Sequence, residues 1–243
     1  MTADPTEVGR KLITYCGNFA VPIEYVFDIL NDQKVVPMIR GKATEYHGYL
    51  EVLHNLSSSE WTVQKLNLNA QTGIQDQDIQ ITHRRTGLIL NVECKSAVRG
   101  SMRAGTRSQK CRVPHFHVKC HRSRSNIELA GTTNDRYSVN SFDVIVCNVS
   151  NALFQGRTFG AKLELLHDRD MLHIVAAHYG VSTDQEIIEH AYGDWRFVFP
   201  RNIAEGGFIP RTPTVFLADD PNWKPMTMLD ESLTALVRAR RGR

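Results

Sequence analysis

Two carboxylates and an amine, Asp78, Glu93 and Lys95, lie in a stretch where apolar and polar residues alternate. In a strand, side chains two apart share a face. Over residues 88–95, Glu93 and Lys95 therefore share a face with Asn91, while Leu88, Leu90, Val92 and Cys94 take the other. On a strand over 76–82, Asp78 and Gln80 share a face opposed by Ile79 and Ile81. Arg84, Arg85, Thr86 and Gly87 make the short turn between the two strands. A turn centred between Arg85 and Thr86 pairs position 79 with 92, and so Asp78 with Glu93. Directly paired Cβ atoms are about 5 Å apart. Two carboxylates that close repel unless a cation lies between them or one is protonated. Oxygen ligands alone favour Mg²⁺ or a similar hard ion. Mg²⁺ held this way lowers the pKa of a bound water and offsets charge on a phosphate. Lys95, one pleat further on, is placed to orient the water or stabilise the pentacovalent state. Together these residues have the equipment of metal-assisted phosphodiester hydrolysis. Asp76 shares the face of Asp78 and is the alternative ligand.

At these positions the chain resembles the PD-(D/E)XK nuclease superfamily, in its restriction-endonuclease-like branch. Gln77-Asp78-Ile79 matches the "PD" element, with Gln where the name has Pro, and Glu93-Cys94-Lys95 matches the "ExK" element. The resemblance covers roughly residues 40–150 and includes the run Arg40-Gly41-Lys42-x-x-Glu45 on the preceding helix. It implies a Mg²⁺-dependent endonuclease acting on double-stranded DNA at a specific sequence, as a type II restriction enzyme does. Asp78 and Glu93 would hold the metal, Lys95 would serve the water or the phosphorane, and Glu45 would be a supporting carboxylate. Glu45 is preferred to Glu51 because it adjoins Tyr49, Val52 and Leu56, whereas Glu51 adjoins His47, Gly48, His54 and Asn55. Cutting both strands of a palindrome implies a two-fold homodimer. A companion methyltransferase for the same site is left open. So are two other readings: a repair or recombination nuclease of the same superfamily, and a DNA-binding module with an inactive core.

The elements that must position these residues are legible in outline. Residues 38–56 read as an amphipathic helix, with Ile39, Ala43, Tyr46, Tyr49, Leu50 and Leu53 at three- and four-residue steps. Leu12 to Leu30, interrupted by Pro22, reads as one or two short helices. Further strands are expected over 61–68, 116–120, 142–148 and 214–217, and helices over 185–192 and 229–240. FDVIVCNV is apolar almost throughout, as a strand buried on both faces would be. The class is α/β (α+β): a central mixed sheet flanked by helices, with a restriction-endonuclease-like core. The expectation is a single nuclease domain over 1–243, its catalytic core about 38–150 and a C-terminal elaboration about 151–243.

Charge points to the same partner. Net charge over the 243 residues is +3, but residues 95–124 carry nine basic side chains and no acidic one. A basic block inside a nearly neutral chain suits a polyanion. Arg99, Arg103 and Arg107 are spaced by four and lead to Lys110 and Arg112. They form one stripe if helical, although Gly100 and Gly105 weaken that helix. Arg122 and Arg124 form a second set of phosphate contacts. Cys111, His115, His117, Cys120 and His121 raise the question of zinc, but their spacing matches no zinc pattern. No G-x-x-x-x-G-K-[ST] loop is present, which argues against a motor-coupled subunit. Five scattered cysteines, no apolar run near membrane length and no signal-like N-terminus fit a cytoplasmic protein with reduced thiols and no membrane partner.

Overall fold

The computed structural model describes residues 4–66, 77–105, 113–122 and 135–241. The chain runs through α1 (Pro5–Asn18), α2 (Val26–Leu30), α3 (Val35–Asn55), β1 (Trp61–Lys65), β2 (Ile79–His83) and β3 (Ile89–Ser96). It continues through β4 (His115–His117), β5 (Val144–Asn148), β6 (Phe154–Phe159), β7 (Lys162–His167), α4 (Arg169–Tyr179) and α5 (Asp184–Gly193). Last come β8 (Trp195–Val198), α6 (Pro200–Ile203), β9 (Thr214–Phe216), β10 (Lys224–Pro225) and α7 (Leu229–Arg241). Two compact units result, one of Met1–Lys42 with Gly156–Leu166, the other of Ala43–Gln155 with His167–Arg243.

In the first unit α1 starts where it should. Asp4 accepts from the Thr6 N–H and Pro5 occupies the first turn, which satisfies an orphan donor and presets the helical φ. The loop after α2 meets the turn between β6 and β7, where Gln33 N donates to Ala161 O and Leu163 N to Asn31 O.

The second unit is built on a mixed six-stranded sheet in the order β1-β2-β3-β5-β8-β10. β1, β2 and β3 are an antiparallel meander, β5 runs parallel to β3, and β8 and β10 are antiparallel additions. The tight turn between β2 and β3 is closed by Gly87 at φ 66°, a left-handed conformation that glycine adopts without strain. Period-two alternation splits the sheet into two apolar faces. Ile79, Ile81, Leu90, Val92 and Cys94 pack with Val144, Val146 and Phe197 under Val52 of α3, Leu56 just after it, and Leu229, Leu233 and Val237 of α7. On the other face Ile145, Cys147 and Val198 pack with Leu172 and Val175 of α4, Ile187 and Ala191 of α5, and Phe116 and Val215 of the β4–β9 pair. All five residues of β5 are buried, the apolar Val144–Cys147 between two covered faces and Asn148 with its amide donating to the carbonyls of Ala191, Tyr192 and Asp194.

The long helix corrects one expectation. α3 buries Val36, Gly48 and Val52, with Leu56 just past its end, and leaves Ile39, Ala43, Tyr46, Leu50 and Leu53 exposed, while Tyr49 of the same stripe is half-buried against the core. Apart from Tyr49, the apolar stripe that periodicity assigns to the core is therefore the outer face. Gly48 decides the rotation. A Cβ there would lie 2.6 Å from Cys94 Sγ and 3.3 Å from the Trp195 ring, so only glycine admits this approach of helix to sheet. Gly48→Ala should lose stability by about 1–3 kcal/mol despite alanine's better helix propensity, because the extra carbon overpacks a filled contact. A urea titration of the two proteins reads this directly.

The C-terminal residues also join the core. β8, β10 and α7 complete the sheet and its cover. α7 runs to Arg241, and Arg240 reaches Asp143 at 3.2 Å, where a frayed tail is the simpler reading of the sequence. The β6–β7 hairpin, α4 and β8 have no counterpart in the sequence reading. No described helix is long and apolar enough to cross a membrane, and Cys16, Cys94, Cys120 and Cys147 are free thiols.

Candidate active site

The hairpin has the register that the turn dictates. Ile79 lies across from Val92, Gln80 from Asn91, Ile81 from Leu90 and Thr82 from Ile89. Asp78 is the next residue beyond this ladder, on the Gln80 face, and Glu93 the next on the other strand. Asp78 has turned to meet the backbone of β3. Its Oδ2 accepts from Cys94 N at 2.8 Å, and its own carbonyl accepts from Leu66 N at 2.9 Å. A carboxylate anchored in this way is fixed at the end of the sheet.

Glu93 and Lys95 share the face opposite α3. Their side chains are only 5% and 13% exposed, and Lys95 Nζ donates to Glu93 Oε1 at 2.5 Å. The amine also lies 3.4 Å from the Tyr137 hydroxyl, 4.7 Å from the centre of that ring and 5.8 Å from the centre of Phe142. Burial would push the Lys95 ammonium down, but Glu93 and the Tyr137 hydroxyl outweigh it and hold it above its usual range. The amine is therefore a fixed positive charge, suited to bind an anion or orient a water and unsuited to take up a proton.

Glu45 lies on the other side of the sheet. α3 covers the Cys94 face, and Glu45 makes an ion pair of 3.0 Å with Lys65, the side chains 16% and 9% exposed. Lys65 Nζ also donates to Leu66 O at 2.9 Å. Asp78 stands between the two pairs. Burial pushes its carboxyl up, the negative charge of Glu45 adds to this, and the Cys94 N–H, Lys95 and Lys65 partly oppose it. The Cys94 thiol is held well above its usual range by burial and by the charges of Asp78, Glu93 and Glu45. It is an inert neutral thiol.

The raised Asp78 carboxyl reflects its burial first and the nearby Glu45 charge second. Hard oxygen donors on buried carboxylates fit Mg²⁺, which is usually held by one or two carboxylates and keeps several waters. Among the described residues no three His, Cys, Asp or Glu gather as a metal cluster, so an ion here would rest on Asp78 and Glu93 with solvent or substrate oxygens. Asn91 Oδ1, on the Glu93 face, is buried and accepts no hydrogen bond, which adds a further unmatched oxygen.

The basic candidates separate into groups. Arg99 and Arg103 are exposed, but residues 97–105 are a turn with Gly100 at φ 66°, not a helical stripe. Arg103 donates to Gly100 O and Met102 O at 2.9 and 2.6 Å, which fixes the loop. Arg122 lies 5.2 Å from the Tyr137 ring centre, the same ring that flanks Lys95, so it is the basic residue tied to the candidate site through one side chain. Arg107, Lys110, Arg112 and Arg124 lie outside the described residues, as do Asp76 and Cys111. The histidine rings have other partners: His115 Nδ1 meets Val113 O, His117 Nδ1 meets Thr214 Oγ1, and His121 Nδ1 meets Arg122 O, all at 3.1–3.2 Å.

Two residues of the site escape the sequence reading. Lys65 continues the Trp61 and Val63 face of β1, and that alternation was the available signal. Tyr137 carries none, since it comes to Lys95 from a loop 42 residues away. Compared with known proteins, the chain matches no family model, no curated protein and no solved structure.

Proposed function

We propose that the protein is a Mg²⁺-dependent DNA endonuclease with a restriction-endonuclease-like core, cutting both strands at a specific sequence in the manner of a type II restriction enzyme. The observation that carries this reading is the β2–β3 register, with Asp78 at its mouth and the Glu93–Lys95 pair on one face. The preceding helix and the buried parallel strand β5 beside β3 are the further elements that the resemblance implies.

Asp78 and Glu93 would hold Mg²⁺, which when bound supplies an activated water and charge neutralisation at the phosphate. The Lys95 ammonium donates to a phosphoryl oxygen or fixes the attacking water, and Glu93 holds it in place. The Tyr137 and Phe142 rings wall the amine and keep bulk water from screening it. Arg122 grips a neighbouring phosphate, a contact that positions the strand without reading sequence. Glu45 acts on Asp78 through charge, and Lys65 moderates that repulsion.

Incubating phage genomic DNA with the protein and Mg²⁺ tests the reading. Discrete fragments with one common end sequence are expected, and Glu93→Ala should cut at least ~10³-fold more slowly, the scale of losing metal and its charge stabilisation. Cuts confined to branched or damaged DNA would favour the repair nuclease. No cleavage by the parent protein, or equal cleavage by Glu93→Ala, would overturn the assignment and leave a DNA-binding module.

A further inference from the structure

The strand that carries Glu93 also carries a buried oxygen with no donor. Asn91 Oδ1 is buried and accepts no hydrogen bond, and a buried acceptor left unmatched costs stability. The backbone of the same residue is held on both sides. Asn91 N donates to Asp143 Oδ2 at 2.9 Å, Asn91 O accepts from Asp143 N at 2.9 Å, and Arg240 reaches the other Asp143 oxygen at 3.2 Å. This clasp fixes where the Asn91 side chain leaves β3, and nothing in it uses the amide oxygen.

The hairpin register says what that oxygen stands beside. Asn91 is paired with Gln80, and the next positions on this face are Asp78 on β2's side and Glu93 on β3. A strand rises about 3.3 Å per residue, so the Asn91 and Glu93 side chains leave β3 roughly 6.6 Å apart, within joint reach of one ion. Lys95 donates to Glu93 Oε1, from the far side of Glu93 along the strand. The neighbours of the amide oxygen are thus chiefly acceptors. A water has two protons to give them, whereas a cation attracts every oxygen around it. Carboxylates and an Asn carbonyl are the donor set of a hard divalent ion. We propose that Asn91 is a ligand of the metal site, its Oδ1 joining the oxygens of Asp78 and Glu93. The proposal rests on the nuclease reading, which puts Mg²⁺ on those two carboxylates, and adds a residue outside the motifs on which the resemblance is based. A neutral oxygen gives the ion another ligand without adding to the repulsion between carboxylates.

Calorimetric titration of MgCl₂ into the metal-free full chain, without DNA, is the test. Asn91→Leu should bind Mg²⁺ at least ~10-fold more weakly than the parent, the lower end of what losing a group around a metal site usually costs. Its urea midpoint without metal should stay at or above the parent's, because the unmatched acceptor is gone. Asn91→Asp should do the reverse. It should bind Mg²⁺ at least ~10-fold more tightly, since ligand charge sets affinity, and unfold at lower urea without metal, because a third carboxylate then stands beside two others. A purely structural residue has no reason to move affinity and metal-free stability in opposite directions. If Asn91→Leu unfolds more readily than the parent, the Asn91→Asp arm decides alone. A parent that binds Mg²⁺, loses it in Glu93→Gln and keeps its affinity in both Asn91 variants would overturn the proposal and leave the nuclease reading standing, with a buried water as the partner of Asn91 Oδ1. A parent that binds no Mg²⁺ at millimolar concentration would remove the ion from Asp78 and Glu93 as well, and both readings would fall.

Discussion

Lys95→Met should end Mg²⁺-dependent cleavage and also lower stability by about 3–5 kcal/mol, whereas Glu93→Gln/Lys95→Met should end cleavage and recover most of that stability. The reason is the burial of the pair, with the two side chains 5% and 13% exposed. Removing one member leaves an uncompensated charge in the interior, the most damaging thing that can be done to a buried ion pair. Removing both charges leaves groups of similar volume. The Lys95 ammonium is held above its usual range, so its stabilisation is complete below the unfolded lysine pKa and is lost only as pH rises through the folded one. Thermal or urea melts of parent, both single variants and the double variant at pH 7 close a cycle whose coupling term is the measurement. Equal stability of Lys95→Met and the double variant would mean that Glu93 finds another neutralising partner. The loss of cleavage is separate from the loss of fold, because the double variant stays folded and inactive. Lys95→Met alone should slow cleavage by about 10²–10³, the usual worth of one positioned donor at developing charge, and the double variant by more, because it also loses the Glu93 metal ligand.

What could be read in advance follows the length over which each signal acts. The β2–β3 register was legible because a tight turn fixes it, and one face is apolar at every second residue. β5 was legible because Val144 to Cys147 are all apolar. α3 was legible as a helix, but its buried face was not. Apart from Tyr49, the wider apolar stripe, Ile39 to Leu53, lies outside, and the buried face is marked by a glycine, a residue that hydropathy cannot weigh. That error has a physical source. Periodicity locates apolar surface without saying whether the sheet or another molecule covers it. β8 was hidden because it is four residues long and carries Arg196, buried only because Asp194 and the carbonyls of Phe216 and Leu217 receive its guanidinium.

The candidate site divides the same way. Glu93 and Lys95 belong to one strand, so two-residue spacing placed them together. Asp78 belongs to the neighbouring strand and needed only the turn. Glu45 belongs to another layer, and its side of the sheet follows from helix packing, which no local spacing encodes. Lys65 and Tyr137 meet the site through tertiary contact. Charge compensation within the site was therefore the least legible part.

Asp78→Asn tests that compensation, and the expected result is a variant that is more stable and nearly inactive. Asparagine can still accept from the Cys94 N–H, so the backbone anchor at 2.8 Å survives. What disappears is a charge that the site disfavours. Burial and the nearby Glu45 carboxylate raise the Asp78 carboxyl, and Lys95, Lys65 and the Cys94 N–H do not fully offset them. A group whose folded pKa is raised above its unfolded one makes the ionised protein less stable. That cost is present above the folded pKa and relieved as pH falls through it. In metal-free buffer at pH 7 the variant should melt about 2–4 °C higher, what roughly 1 kcal/mol gives a domain of this size. The gap should close as the buffer is made acidic. Added Mg²⁺ should reverse the order. At a hundred times its Kd an ion bound only to the folded state adds about 2.7 kcal/mol, and that increment should appear in the parent and vanish in Asp78→Asn together with cleavage. A parent whose melting temperature ignores Mg²⁺, or a variant that responds to it equally, would remove Asp78 from the metal site and leave its burial as a purely structural anchor for β3.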